Sequence, residues 1–277
     1  MDTAHFQIWF FLLIILLGFA GGFMAGMLGV GGGIVFVPVI QEIVRYHTVP
    51  ADKVPYVLAN SLLIVFFVGI TGTVKQYKLK NTDLKASLFT GVSAVASSLS
   101  LTYLLNLYQI NDQKVFAYIF SGVLVLTALR MWYGRNRNRE NETAPVKLPA
   151  LLHFIPAGFF AGIITAITGL GGGVVMVPYF NKFLKLPIKF ATGLSLSVIP
   201  IIAFPLLVFY MISQPAGILY PGWQTGHILW PAVVPILLAA GIAAPFGVRA
   251  AHKMSSKMLL TVFMTFILIN LIKILFF

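Results

Sequence analysis

Long stretches of this chain contain no Asp, Glu, Lys or Arg. Five such runs cover residues 6–41, 54–74, 86–111, 148–181 and 190–248. Each is long enough to provide the roughly 20 residues that span the hydrocarbon core of a bilayer. Charged side chains make up 9% of the sequence, whereas they form about a quarter of an average soluble domain. The sequence therefore predicts an all-α, polytopic membrane protein.

The boundaries of the individual spans follow from polar and turn-forming residues. The longest run has to fold into two spans, and its break is predicted at 213–226, where Pro and Gly are concentrated. Trp223, inside this break, suits the headgroup region of a bilayer. Apart from two glycine-rich hairpins, we predict spans at 54–74, 86–106, 115–133, 190–212, 226–248 and 258–276.

The composition excludes several classes of protein. The chain has no cysteine, which rules out disulfides, thiolate metal sites and thiol nucleophiles. The formal net charge of +12 comes from cations dispersed among the predicted loops, so we expect no nucleic-acid partner. No cofactor is expected. Residues 1–5 lack the basic region of a cleavable signal peptide, so the first apolar segment is expected to be retained.

A glycine-rich motif occurs twice in the chain. Residues 28–38 read Leu-Gly-Val-Gly-Gly-Gly-Ile-Val-Phe-Val-Pro, and residues 168–178 read Thr-Gly-Leu-Gly-Gly-Gly-Val-Val-Met-Val-Pro. At the same offset and without a gap, Gly18 falls on Gly158. This duplication divides the chain into a first repeat at 1–134, a linker at 135–149 and a second repeat at 150–277.

The distribution of cations predicts an orientation. If the loop at 75–85 is cytoplasmic, then the linker and the loops at 181–189 and 249–257 are cytoplasmic too. Only four of the 19 Lys and Arg then lie outside, namely Arg45, Lys53, Lys114 and Lys273. The repeats are then inverted relative to each other, a recurrent plan of transporters that hold substrate where the repeats meet. We predict a multi-pass protein of the cell (inner) membrane with a cytoplasmic linker.

Each glycine motif is expected to break a helix near the middle of the membrane, because each glycine costs about 1 kcal/mol in helix propensity. Irregular backbone is tolerated there only where it is buried in protein or lines a wet cavity. The short helix after the break presents free N–H groups and the positive end of its dipole, which attract anions. A flexible turn between two ordinary helices is the alternative. The predicted substrate-binding residues are Gly29, Gly31, Gly32, Gly33, Ile34, Gly169, Gly171, Gly172, Gly173 and Val174.

Neutral polar residues complete the predicted site. All seven acidic residues fall in predicted termini or loops, so an anionic substrate is favoured over a cation or a carboxylate proton relay. The candidates within the membrane are Asn60 and Ser61 in the first repeat, with Thr192 and Ser195 in the second. Interhelical hydrogen bonding is the alternative role for both pairs.

Other small and polar residues are expected to serve packing or solvation. The glycines at spacing four form packing faces for neighbouring helices: Gly18, Gly22 and Gly26, matched by Gly158, Gly162 and Ala166. Helix packing is also the expected role of the serines at 93, 97, 98 and 100. The histidines are expected in termini, loops or interfaces.

The residues in and after both motifs resemble a known family. Ala-Gly-x-x-Gly-x-Gly-Gly-Gly ending in Val-Pro, with Leu-Ala-Asn-Ser-Leu and Ala-Thr-Gly-Leu-Ser following, is similar to the TauE/SafE sulfite exporter family, also called toluene sulfonate uptake permeases. The resemblance covers essentially the whole chain, although the second copy has Thr-Ala-Ile-Thr at 165–168 in place of Ala-Gly-x-x. It implies a plasma-membrane carrier for small sulfur-containing or carboxylated anions such as sulfite, thiosulfate and organosulfonates.

Several functions remain open from the sequence. We expect a secondary transporter, not an enzyme, whose partners are a small anionic substrate and the lipid bilayer, with homo-oligomerisation left open. An anion channel would use the same site without alternating access, and a carrier could prefer a carboxylate to a sulfonate. A membrane scaffold or an intramembrane enzyme is the alternative from another class.

Overall fold

The structure is almost entirely helical. The computed structural model describes residues 3–46, 53–108, 115–123, 148–215 and 223–255, together with 125, 258, 261 and 265. Its helices are α1 (Thr3–Leu28), α2 (Gly33–Tyr46), α3 (Lys53–Lys78), α4 (Leu84–Leu107), α5 (described over 115–123), α6 (Ile155–Thr168), α7 (Gly173–Lys182), α8 (Ile188–Ile212) and α9 (Trp230–Lys253). A 3-10 turn, Leu151–Phe154, leads into α6. The predicted all-α class is confirmed.

Within the described ranges, six helices are long and apolar enough to cross a membrane: α1, α3, α4, α6 with its leading turn, α8 and α9. Helices α2 and α7 are shorter, with 14 and 10 residues. They extend for about 21 and 15 Å at 1.5 Å per residue, against a hydrocarbon core of about 30 Å. The protein is therefore a polytopic membrane protein in which helices of spanning length accompany two shorter helices, α2 and α7. Most of the predicted linker, most of the predicted span at 258–276 and the second half of the predicted span at 115–133 lie outside the described residues.

Helices α3 and α8 form the centre of the protein. In their most apolar stretches 67% and 56% of the residues are buried, against 33% in α4. The two helices pack antiparallel, because Gly69 faces Pro200 while Gly72 faces Leu196. Helix α9 also contacts α3, and α4 also contacts α8. Both glycine motifs lie against this central pair.

The outer helices pack through small residues. Helix α1 runs along α9, and α6 runs along α4. The glycines at spacing four line both contacts, as predicted. In α1, Gly18, Gly22 and Gly26 face Ile236, Ala240 and Ala244 of α9. In α6, Gly158 and Gly162 face Thr90 and Ala94 of α4. Ser97 of α4 donates a hydrogen bond to the carbonyl of Phe159 on α6 at 2.9 Å, a packing role as expected.

The segment before α9 differs from the predicted span at 226–248. Two short strands, β1 (Gln224–Thr225) and β2 (Ile228–Leu229), pair as an antiparallel hairpin. Gly226 makes the turn with a φ of 56°, and α9 begins only at Trp230. A two-residue apolar run does not distinguish a strand from the start of a helix, so the sequence pattern did not reveal the hairpin.

Glu42 and His252 lie in helices and not in a loop or terminus, where the sequence predicts them. Glu42 belongs to α2, which continues to Tyr46, and His252 belongs to the last turn of α9. Helices can extend beyond their apolar runs at the membrane surface, where long polar side chains reach water. The prediction that every acidic residue is in a terminus or loop is therefore wrong for Glu42.

Candidate functional site

Both glycine motifs interrupt a helix, as predicted. Helix α1 ends at Leu28 before α2 begins at Gly33, and α6 ends at Thr168 before α7 begins at Gly173. Three glycines in each break have a positive φ, which costs other L-residues about 1–2 kcal/mol. The φ values are 70°, 78° and 79° at Gly29, Gly31 and Gly32, and 67°, 77° and 75° at Gly169, Gly171 and Gly172. The two copies therefore follow the same backbone path, and that path requires glycine.

The two breaks pack directly against each other. A β-carbon on Gly33 would lie 2.6 Å from the Cα atom of Leu170, and a β-carbon on Gly173 would lie 2.6 Å from the Cα atom of Val30. Only glycine permits so close an approach of two backbones. The residues of both breaks are buried. The starts of α2 and α7 therefore meet inside the protein.

The predicted site serines contact these breaks across the two halves of the chain. Ser195 of α8 donates its hydroxyl to the carbonyl of Gly29 at 2.8 Å. Ser61 of α3 donates its hydroxyl to the carbonyl of Gly169 at 3.2 Å. Both serines are completely buried. Each break is therefore held by a hydroxyl group from the other half.

The first amide groups of both short helices lack a protein acceptor among the described residues. In the described part of the chain, the N–H groups of residues 31–34 and 171–174 have no hydrogen-bond acceptor. The following amides, Val35 and Phe36 in the first copy, bond to the carbonyl of Gly32. A buried polar group left unpaired costs about 1–3 kcal/mol, and the dipoles of α2 and α7 add positive potential. Such an arrangement can bind an oxyanion without a charged side chain.

Asn60 holds the β-hairpin. Its Nδ2 atom donates to the carbonyls of Tyr56 and His227 at 2.7 and 2.9 Å. Its Oδ1 atom accepts from the N–H group of Leu229 at 2.8 Å. We call these contacts of Asn60 with the hairpin the hairpin closure. It covers the end of the α3–α8 pair where α3 begins.

Thr192 contacts the first break through its backbone, while its hydroxyl donates to the carbonyl of Lys189 at 2.8 Å within α8. A β-carbon on Gly29 would lie 2.5 Å from the carbonyl oxygen of Thr192. Of the four neutral polar candidates, only the two serines direct a side-chain hydrogen bond at the motifs.

A polar network that the sequence analysis missed lies at the opposite end of the α3–α8 pair. The Oε1 atom of Gln76 accepts from Nδ2 of Asn81 at 3.1 Å and lies 3.3 Å from Nε2 of His252. Asn81 also donates to the carbonyl of Lys189, and Nζ of Lys189 donates to the carbonyl of His252 at 3.2 Å. We call these four residues the glutamine network. It joins α3, α8 and α9, which are too far apart in sequence for spacing to reveal it.

His227, expected near an interface, is buried in the hairpin. Its ring centroid lies 5.0 Å from that of Tyr56 and 6.0 Å from that of Tyr210, both in edge-on geometry. Its Nδ1 atom lies 3.0 Å from the hydroxyl of Ser213. These contacts pack the hairpin onto the first turns of α3 and the last turns of α8. The hairpin closure is thus supported by aromatic packing as well as by Asn60.

Comparisons with known proteins find a family of membrane transporters. The family model described as "Sulfite exporter TauE/SafE" matches residues 14–274. A probable membrane transporter protein of Methanocaldococcus jannaschii is 27% identical over 251 residues, which cover 88% of each chain. A probable membrane transporter protein of Bacillus subtilis is 25% identical over 260 residues, 89% of this chain and 90% of that protein. One of Haemophilus influenzae is 25% identical over 263 residues, 94% of this chain and 96% of that protein.

Proposed function

The chain belongs to the sulfite exporter TauE/SafE family, and from this premise we propose that it is a secondary transporter of small sulfur-containing anions, of the sulfonate or sulfite class. Its curated relatives are described as probable membrane transporters, which supports the general activity. The transporter lies in the plasma membrane, and the two glycine breaks hold the anion about halfway across it.

The observation that carries the proposal is the double set of amides, at residues 31–34 and 171–174, that have no acceptor among the residues the structure describes. A sulfonate or sulfite head has three oxygens, so it can accept hydrogen bonds from both breaks at once. The bound anion would remove the cost of the unpaired donors and gain from both helix dipoles. Amide donors at helix starts are a common means of binding anions.

The serine hydroxyls reduce the negative potential of the breaks, which favours anion binding. The carbonyl oxygens of Gly29 and Gly169 carry partial negative charge close to the amides, and a free carbonyl there would repel an anion. Ser195 and Ser61 donate to these oxygens and so offset that charge. Because each serine comes from the other half, movement of one half against the other changes both parts of the site.

The α3–α8 pair provides the proposed route across the membrane. These helices occupy corresponding places in the two repeats and run antiparallel, which supports the inverted arrangement. One end of the pair is covered by the hairpin closure and the other by the glutamine network. In the proposed cycle one repeat rocks against the other, and the two coverings open in turn around the glycine breaks.

Counterflow in proteoliposomes tests the proposal. Vesicles that contain the purified protein are loaded with unlabelled sulfite or methanesulfonate, and uptake of the labelled anion is measured. A carrier gives saturable uptake that is accelerated by anion on the opposite side. Saturable uptake without exchange acceleration would contradict alternating access and favour an anion channel.

A binding screen separates sulfonate from carboxylate specificity. A ligand that binds the folded state raises its apparent stability by RT ln(1 + [L]/Kd), so thermal shifts rank sulfite, methanesulfonate and acetate at equal concentrations. We expect the sulfur oxyanions to give the larger shifts. A larger shift with acetate would identify the protein as a carboxylate carrier, and the absence of any shift or transport would contradict an anion transporter.

A further inference from the structure

Two branched apolar side chains cover the glycine breaks. A β-carbon on Gly31 would lie 2.9 Å from Cδ1 of Ile199 and 3.1 Å from Cγ1 of Val65. A β-carbon on Gly171 would lie 2.7 Å from Cγ1 of Val65 and 3.3 Å from Cγ2 of Ile199. Each side chain thus lies against both breaks, and both are completely buried. One residue of α3 and one residue of α8 share the space in front of the central glycines.

Val65 and Ile199 are corresponding residues of the two halves. The offset that relates Ser61 to Ser195 also relates Val65 to Ile199. Each follows its serine by four residues, so the hydroxyl and the apolar side chain lie on one face of the helix. The hydroxyl holds a carbonyl of the break, and the apolar side chain covers the glycine two positions further on. The halves differ at this position by one methylene group.

We propose that Val65 and Ile199 are the specificity-determining side chains of the transporter, because they set the space beside the anion-binding amides. The inference rests on the proposed function. The charged head of an anion can accept hydrogen bonds from the amides, but any group attached to the head contacts two branched hydrocarbon side chains. A second charged group would lose its hydration against them at a high cost. The substrate class selected is a monoanion with a short apolar substituent.

Transport of methane-, ethane-, propane- and butanesulfonate by the full-length protein in proteoliposomes tests this inference. Val65→Ala and Ile199→Ala enlarge the space, so each is expected to raise kcat/KM for the longer sulfonates relative to methanesulfonate. The expected change in this ratio is roughly 10-fold, the lower end of the effect of a methylene group in an apolar pocket. Val65→Ile reduces the space and is expected to shift the preference towards methanesulfonate, which keeps the test informative if a truncated variant fails to fold.

Val68→Ala and Ile202→Ala are the matched controls. Both residues are completely buried on the same two helices, three positions after Val65 and Ile199, and neither is among the nearest neighbours of Gly31 or Gly171. They should leave the chain-length preference unchanged. If the Val65 and Ile199 variants also keep the wild-type preference, the specificity role is wrong while the transport function stands. If the wild-type protein moves no sulfonate and no sulfite, the proposed function itself is wrong.

Discussion

At the residue scale, the glycines of the two breaks have distinct tasks. Gly31 and Gly171 adopt a positive φ and turn the chain, whereas Gly33 and Gly173 let each loop approach the backbone of the other. The amides that follow are donors that do not titrate, so the proposed anion binding would not depend on the protonation of these protein groups. Backbone donors avoid the free-energy cost of burying a charged side chain within the membrane.

Replacement of Gly32 or Gly172 by Leu should abolish transport. Both residues have a positive φ, and a β-carbon would lie 2.5 Å from Cε2 of Phe36 in the first copy and 2.8 Å from Cβ of Ala161 in the second. Gly122→Leu is the control, because no atom of another described segment lies within 4 Å of a β-carbon there. Uptake in proteoliposomes and thermal unfolding in detergent are measured together. Full transport by both Gly32→Leu and Gly172→Leu would exclude the motif as the site.

Ser61→Ala and Ser195→Ala should weaken anion binding. Each substitution leaves a carbonyl of a break unpaired beside the anion, at a cost of about 1–1.5 kcal/mol, which corresponds to a roughly 5- to 10-fold higher KM. Ser98→Ala is a suitable control, since Ser98 is completely buried but donates within its own helix, to Val95. An unchanged KM in both site variants would show that the serines serve helix packing and not anion binding.

The candidate site was predictable from the sequence only in part. The glycine breaks follow from local chemistry, because four glycines in five positions cannot continue a helix at low cost. The partners of the two serines do not, because they come from distant segments. Asn60 and Ser61 are adjacent, yet one holds the β-hairpin and the other holds a glycine break. The apolar residues Val65 and Ile199 carry no sequence signal that separates them from the rest of the core.

At the scale of elements, close packing between α1 and α9 depends on glycine. A β-carbon on Gly22 would lie 2.4 Å from the Cα atom of Ala240, so Gly22→Ala should destabilise the protein by about 1–3 kcal/mol. In Gly241→Ala the new β-carbon would meet Cγ2 of Thr71 at 3.9 Å, an ordinary contact, so this variant should be neutral or slightly more stable. Thermal unfolding in one detergent compares the two. Equal stability would show that the helices separate readily.

The helices themselves were largely predictable because uncharged runs of membrane length leave few alternatives. Predicted spans at 54–74, 86–106 and 190–212 correspond to α3, α4 and α8, which extend a few residues beyond them. The β-hairpin was not predictable, since each strand has two residues and its stability comes from contacts with α3 and α8. Boundaries and short elements therefore required the tertiary structure.

At the scale of the whole molecule, the two ends of α3 should be exposed on opposite sides of the membrane. The chain has no cysteine, so single cysteines can be labelled without background. An impermeant maleimide added to intact cells should label Trp223→Cys, whose site in the hairpin segment is 68% exposed. Lys78→Cys, at the end of α3, should react only after the membrane is opened. The reverse pattern would invert the proposed orientation, and labelling of both in intact cells would contradict a spanning α3.

The exchange of serine hydroxyls between the halves has a consequence for any shortened form of the protein. Ser61 bonds to Gly169, and Ser195 bonds to Gly29, so neither half satisfies its own loop. A half-length polypeptide would carry a donor and an acceptor that cannot reach each other. In the proposed inverted arrangement, it could complete both contacts only with a second polypeptide inserted in the opposite orientation, so two half-length polypeptides would be needed to form one site.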